Sequence, residues 1–530
     1  MGPVKRVLLG SAAGVFAVAG AQAADLPVKA KPVEYVKVCS LYGAGFWYVP
    51  GTDTCIKVGA LTKLEVNYNA DGGGAPLGQQ ANGGLFTRVN TSMLGFRVRG
   101  NLSFDMREQT EYGTLRSYID IGQQLQTGGA SAGSVPTTAN NSTAGISSIN
   151  ASRAFLQFAG FTAGRMRSFF DMYFQGAYAF ASQRMSGDTT ANGIAGIAYT
   201  WQFGGGVSAS FSLEDGGFAT GGHGRTTANL AAAGGTPFTA NPAATINAAG
   251  ATVDVKGQEF FDPVFNLRLD QQWGFAGVSV AAHDASGGYY GTLTTVSPGA
   301  APGHPSDIFG WAASAAVQLT SPFGLLGDTL GSNVVWSHGA AGYAVGGNFG
   351  SSVFYGSGNN LSVGFVGDGI YSPFGGGVQL TDVWTFQGAY EHRWDPKWRT
   401  SIYGGLAGII YNDTAKNIIC NTNPRVAAGT LGAGNFQPLG FSGGAGFSSV
   451  SNCNPNFSAT QLGTRTLWNP VPNIDIGLDL SWYHNNTAFA GAAIIPTAAA
   501  RPGSALVGPY AVTNADILQA LFRFQRNFLY

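Results

Sequence analysis

The chain has little charge: Asp, Glu, Lys and Arg make up 11% of its 530 residues, where an average soluble domain carries about 25%. It also lacks long apolar runs. Beyond the N-terminal stretch nothing approaches the ~18 consecutive apolar residues of a membrane-crossing helix, which excludes a helical membrane protein. Amphipathic helical patterns able to cover a large sheet are missing as well. The 28 basic side chains balance 28 acidic ones, so there is no basic excess of the kind that binds nucleic acid. The sequence contains no Walker phosphate loop, no H-E-x-x-H and no G-x-S-x-G elbow. His283-Asp284 and His392 beside Glu391 have no nucleophile at recognisable spacing and read as lumen or surface residues. An enzyme is therefore not expected, nor any cofactor or metal.

What the chain does have is alternation. In 94–107, LGFRVRGNLSFDMR, the apolar set Leu94, Phe96, Val98, Leu102, Phe104 and Met106 is interleaved with Arg97, Arg99, Asn101, Ser103, Asp105 and Arg107. A period of two is a strand with one greasy and one wet face. The pattern returns in 56–69, where Lys57, Lys63 and Glu65 share the wet face. It recurs in 115–121, where Arg116, Tyr118 and Asp120 oppose Leu115, Ile119 and Ile121, and in 473–482. With no helices to cover so many greasy faces, one closed antiparallel barrel explains all of them, with its apolar exterior in lipid and its polar interior around water. The expected fold is an all-β transmembrane barrel. Tyr68, Trp201, Trp273, Trp384, Tyr411 and Trp482, near predicted strand ends, suit aromatic girdles at the membrane interfaces.

The N-terminus carries Lys5 and Arg6, then an apolar stretch over 7–19, then Ala21-Gln22-Ala23. That is the layout of an export signal, so residues 1–23 are expected to be removed. Residues 24–55 form a lead-in and 56–530 the barrel domain. The four cysteines fall into two distant groups. In an exported chain bridging is expected, Cys39 with Cys55 and Cys420 with Cys453, with unpaired buried thiols as the alternative.

The stretch GFWYVPGTDTCIKVGA, following an A-x-A site and a Pro-containing lead-in, resembles the N-terminal signature of alphaproteobacterial outer-membrane porins. The resemblance continues through 94–107, 153–174 and the last strand. It implies about sixteen antiparallel strands, a homotrimer, and a third external loop folded inward to narrow the pore. Residues 168–188, SFFDMYFQGAYAFASQRMSGD, stand where that loop would be. The final strand, 516–530, places Phe522, Phe524, Phe528 and Tyr530 on one face. This is similar to the signal that such barrels present to the outer-membrane assembly machinery, with Tyr where Phe is usual.

The charges expected at the constriction are Arg97, Arg99, Arg116, Arg153 and Arg165 from the wall, opposite Asp171 and Asp188 from the loop, a field that would sort solutes by charge. Passive diffusion of small hydrophilic solutes and ions across the outer membrane is the expected function, with outer-membrane lipid around the barrel. A structural or adhesive barrel with a plugged lumen is the alternative.

Overall fold

The computed structural model describes residues 37–68, 94–126, 150–172, 177–180, 193–216, 223–229, 239–241, 245–247, 254–290, 301–345, 351–355, 360–372, 374–420, 446–447, 454–491, 493–495 and 510–528. Sixteen long strands run in chain order: β1 Cys55–Tyr68, β2 Leu94–Thr110, β3 Gly113–Gln126, β4 Asn150–Phe158, β5 Phe161–Met166, β6 Ile194–Gly204, β7 Val207–Glu214, β8 Asp262–Gln271, β9 Gly274–Asp284, β10 Phe309–Thr320, β11 Thr329–His338, β12 Asp382–Arg393, β13 Trp398–Ile410, β14 Phe457–Trp468, β15 Ile474–Asn486 and β16 Ala515–Phe528. Each pairs antiparallel with the next. β16 closes on β1, from Ala60 opposite Phe528 to Tyr68 opposite Ala520. Closure leaves no free sheet edge, which is the condition for strands to survive in hydrocarbon.

Side-chain direction follows the alternation. On β2, Phe96 and Leu102 point outward at 53% and 47% exposure while Arg97 and Asp105 are buried on the inner side. On β15, Leu478 and Leu480 point outward opposite inward Asp479 and Ser481. Such an exterior would aggregate in water, and in a bilayer it meets lipid. Tyr68 and Trp201 lie on this outer face, and Trp273 is exposed in the turn between β8 and β9.

Seven connections are short and share one end of the barrel; the eight long ones share the other. The short ones are built from turn chemistry. Between β12 and β13 the Asp395 carboxylate accepts from the backbone N–H of Lys397 at 2.6 Å and of Trp398 at 2.8 Å, closing the turn locally. Gly274 opens β9 at φ +130°, and a side chain there would collide with the Gln318 carbonyl.

The long-loop end departs from a uniformly wet interior. Inner-face residues Val264, Ala312, Val335, Val383, Ala407 and Phe457 pack against the loop residues Tyr343, Val345, Phe365, Ile370, Ile419 and Phe489 in one buried apolar cluster. Small Ala and Val at these inner positions leave room for loop backbone, whose polar groups are then satisfied. Thr385 Oγ1 donates to the Ala344 carbonyl at 3.1 Å, and Ala341 N–H donates to Asp368 at 2.7 Å. Tyr411 belongs to this core and not to a girdle: it is 1% exposed and its hydroxyl donates to the Phe365 carbonyl at 2.6 Å.

The Cys39–Cys55 disulfide is present, with Cα atoms 6.0 Å apart. Cys420 ends a short helix, Asp413–Cys420, and its expected partner Cys453 lies outside the described residues, as do residues 1–23, where an export signal is expected.

Candidate functional site

The third long connection, between β5 and β6, enters the barrel. Its described pieces, 168–172 and 177–180, bind inward side chains on opposite walls. Near β5, Ser168 Oγ donates to Glu214 at 2.6 Å, Asn266 Nδ2 to the Phe169 carbonyl at 2.6 Å, and Ser279 Oγ to the Phe170 carbonyl at 2.8 Å. Across the lumen, Ser401 Oγ donates to the Tyr178 carbonyl at 2.5 Å, Phe180 N–H donates to Asp479 at 2.5 Å, and Arg465 donates to the Ala177 carbonyl. The Phe180 ring lies under two guanidiniums, 3.8 Å from Arg523 and 5.3 Å from Arg465, a favourable cation–π arrangement. Two wall glycines make the seat. A Cβ on Gly477 would come within 2.9 Å of the Phe180 ring, and one on Gly277 within 3.0 Å of the Met172 methyl.

A cavity remains on each side of this loop. The larger, about 700 Å³, lies along β3–β8 and is lined by Arg116, Arg153, Arg167 and Arg268 with Asp171 and Asp270. The smaller, about 330 Å³, lies along β10–β16 and is lined by Arg399, Arg465 and Arg523 with Glu391 and Asp475. Seven guanidiniums therefore face four carboxylates. The same excess holds behind the lining. Glu65 is shared by Arg97, by Arg523 at 2.7 Å and by Lys63 at 3.3 Å. Asp105 is shared by Arg116 and Arg107. A carboxylate divided among several cations leaves net positive charge on the inner wall.

A second polar group is sealed into the long-loop end. His283 Nδ1 lies 2.6 Å from Asp262 and its Nε2 3.3 Å from Asp368. His223 stacks on Tyr343 at 3.8 Å and lies 3.6 Å from Asp171, while Tyr343 donates to Asp262 at 3.0 Å. Burial pushes His223 below its ordinary value against the pull of Glu214, and burial with Asp262 nearby pushes Tyr343 up. This group keys three loops to β7, β8 and β9.

The residues expected at the constriction separate in space. Arg116, Arg153 and Asp171 line the larger cavity. Arg97 is held on Glu65, and Arg99 lies in the same inner row opposite Lys63. Arg165 is a correction: it pairs across the ladder with Ala154 and Ala195, in the outward row of Leu156, Ala163 and Ile197. Phe158 pairs with Phe161 around the Ala159-Gly160 turn, which exchanges odd and even positions between the strands. Carrying one parity through that turn moves Arg165 to the wrong face. Asp188 lies outside the described residues. Sequence reading missed Arg399, Arg465 and Arg523 as site residues; their inward parity was the available signal.

The family described as "Porin subfamily" matches residues 25–504. The putative outer membrane protein y4fJ of Sinorhizobium fredii is 35% identical over 167 residues, 31% of this chain and 43% of that protein. Porin Omp2b of Brucella suis is 31% identical over 226 residues, 42% of this chain and 54% of that protein, so the chain spans about half the length of the curated relatives it matches. Among solved structures, the outer membrane channel DcaP of Acinetobacter baumannii aligns with a TM-score of 0.53 at 10% identity, covering 91% of this chain and 99% of that one, a likeness of fold alone. With the family match running almost the length of a closed sixteen-strand barrel, the chain belongs to the porin subfamily.

Proposed function

We propose that the chain forms a passive, water-filled channel for small hydrophilic solutes and ions across the bacterial outer membrane, favouring anions. The observation that carries this reading is a loop crossing a closed barrel with a cavity on either side, both richer in arginine than in carboxylate. The cavities limit size and the guanidiniums sort by charge. No chemical reaction is assigned. The short turns then face the periplasm and the long loops the outside, residues 1–23 direct export, Arg165 lies toward lipid, and β16 is offered to the assembly machinery. The assembly is a homotrimer. Planar-bilayer recording under a KCl gradient tests the proposal. Stable current steps with a reversal potential toward that of chloride are expected, and folded protein giving no steps would overturn it.

The apolar core at the long-loop end favours a second reading, a barrel plugged by its own loops. Liposome swelling in sugars of increasing size separates the two, because a plugged barrel admits none of them.

A further inference from the structure

Residues 39–54, closed by a disulfide onto Cys55 at the start of β1, are part of neither the barrel wall nor the crossing loop, yet their contacts lead into the larger cavity. Trp47–Tyr48 pairs with the first residues of β1, Trp47 opposite Ile56, while Cys39, Cys55 and Phe46 form a small buried core with Tyr42 packed on it. Cys55 lies directly opposite Arg107 on β2. The Arg107 guanidinium sits over two rings of the segment, 5.0 Å from Phe46 and 5.7 Å from Tyr42.

The other side of Arg107 meets Asp105, with Nε on Oδ1 at 3.0 Å and Nη2 on Oδ2 at 2.7 Å. Arg116 donates to the same two oxygens at 2.9 and 3.0 Å, and its Nη1 donates to Gln157 at 2.9 Å. Arg116 then covers the stacked pair Tyr118 and Phe155, 5.3 and 5.4 Å away. Arg116, Tyr118, Phe155 and Gln157 all line the cavity of about 700 Å³.

We infer that the aromatic clamp closed by Cys39–Cys55 is a positioning device for ion selection, holding Arg107 on Asp105 so that Arg116 presents uncompensated positive charge to the cavity. The inference rests on the channel reading. With both arginines on one carboxylate the triad carries a net positive charge. If the clamp releases Arg107 into water, Asp105 pairs with Arg116 alone and the triad becomes neutral. The released charge is screened over about 8 Å at physiological salt, so the cavity loses anion preference.

Bilayer recording tests this with wild type, Phe46→Ala, Phe46→Tyr and Arg107→Gln, each first shown to be folded by its heat-dependent mobility in detergent gels. Under a KCl gradient, Phe46→Ala and Arg107→Gln are expected to lower the chloride-to-potassium permeability ratio by about two- to threefold, the effect of one charge a few ångströms away in a mostly aqueous medium. Phe46→Tyr keeps the ring and should behave as wild type. Dithiothreitol added to inserted wild-type channels should move the reversal potential the same way, which covers the case of a Phe46→Ala variant that does not fold. A reversal potential shifted by Arg107→Gln but by neither Phe46→Ala nor reduction would overturn the clamp's role. No shift with Arg107→Gln would overturn the triad's. Folded wild type without current steps would instead defeat the channel reading.

Discussion

Phe180→Ala tests whether the crossing loop is held by its aromatic anchor. The ring is 7% exposed and lies between the Gly477 wall and the guanidiniums of Arg523 and Arg465. Truncating a buried Phe to Ala costs about 3–5 kcal/mol, which includes about 0.5–2 kcal/mol for cation–π attraction. The ring belongs to the loop and its seat to the wall, so the loss falls on docking and leaves the barrel ladder intact. At about 1.4 kcal/mol per decade, the ratio of undocked to docked loop rises about 10²- to 10⁴-fold. Three backbone contacts of this piece persist, Ala177 carbonyl to Arg465, Tyr178 carbonyl to Ser401 and Phe180 N–H to Asp479, so the loop is expected to visit the open lumen without leaving its seat permanently. Single-channel recordings of folded Phe180→Ala should show flicker to a larger conductance level. A trace with the same single level and noise as wild type would refute the argument that Phe180 anchors the constriction.

Gly477→Leu fills the seat from the other side and should produce the same flicker without touching the loop; unchanged recordings would mean that the loop tolerates a side chain there. Arg116→Gln should move the reversal potential toward cations, while Arg165→Gln, on the outward face, should leave it unchanged. An equal shift from both would contradict the assigned register. The fourth test uses pH. The folded value of His223 is lowered, so between that value and about 6.5 the unfolded chain binds a proton that the folded chain refuses. The contribution of His223 to the loop core is therefore complete above this window and is lost as pH falls through it. Relative to intrinsic exchange rates, protection over 223–229 and 341–345 should fall further, or rise less, from pH 8 to pH 5 in wild type than in His223→Phe, and equal profiles would show that His223 is not the group responsible.

Much of the architecture was legible because a barrel strand writes its two environments into alternate residues. Leu94 to Arg107 separated into lipid and lumen sets without reference to any partner strand, and the same held for β1, β3, β15 and β16. The parity argument failed where a turn intervened, at Arg165, and where the interior was not water. Tyr411 and the inner Val and Ala residues of β8–β14 face packed loops, and nothing local distinguishes an apolar side chain aimed at a loop from one aimed at lipid.

Local periodicity by itself determined most of the strands, their inner and outer faces and the closed topology, because each depends on residues two apart or on the need to leave no edge in hydrocarbon; the position of the crossing loop came from the resemblance to a known family. Which charges act together was decided only by the tertiary structure. Arg523 reaches Glu65 across 458 positions of sequence, and Phe180 reaches Asp479 across 299. Barrel closure and loop docking bring such pairs together, and no spacing along the chain records the distance around a ring.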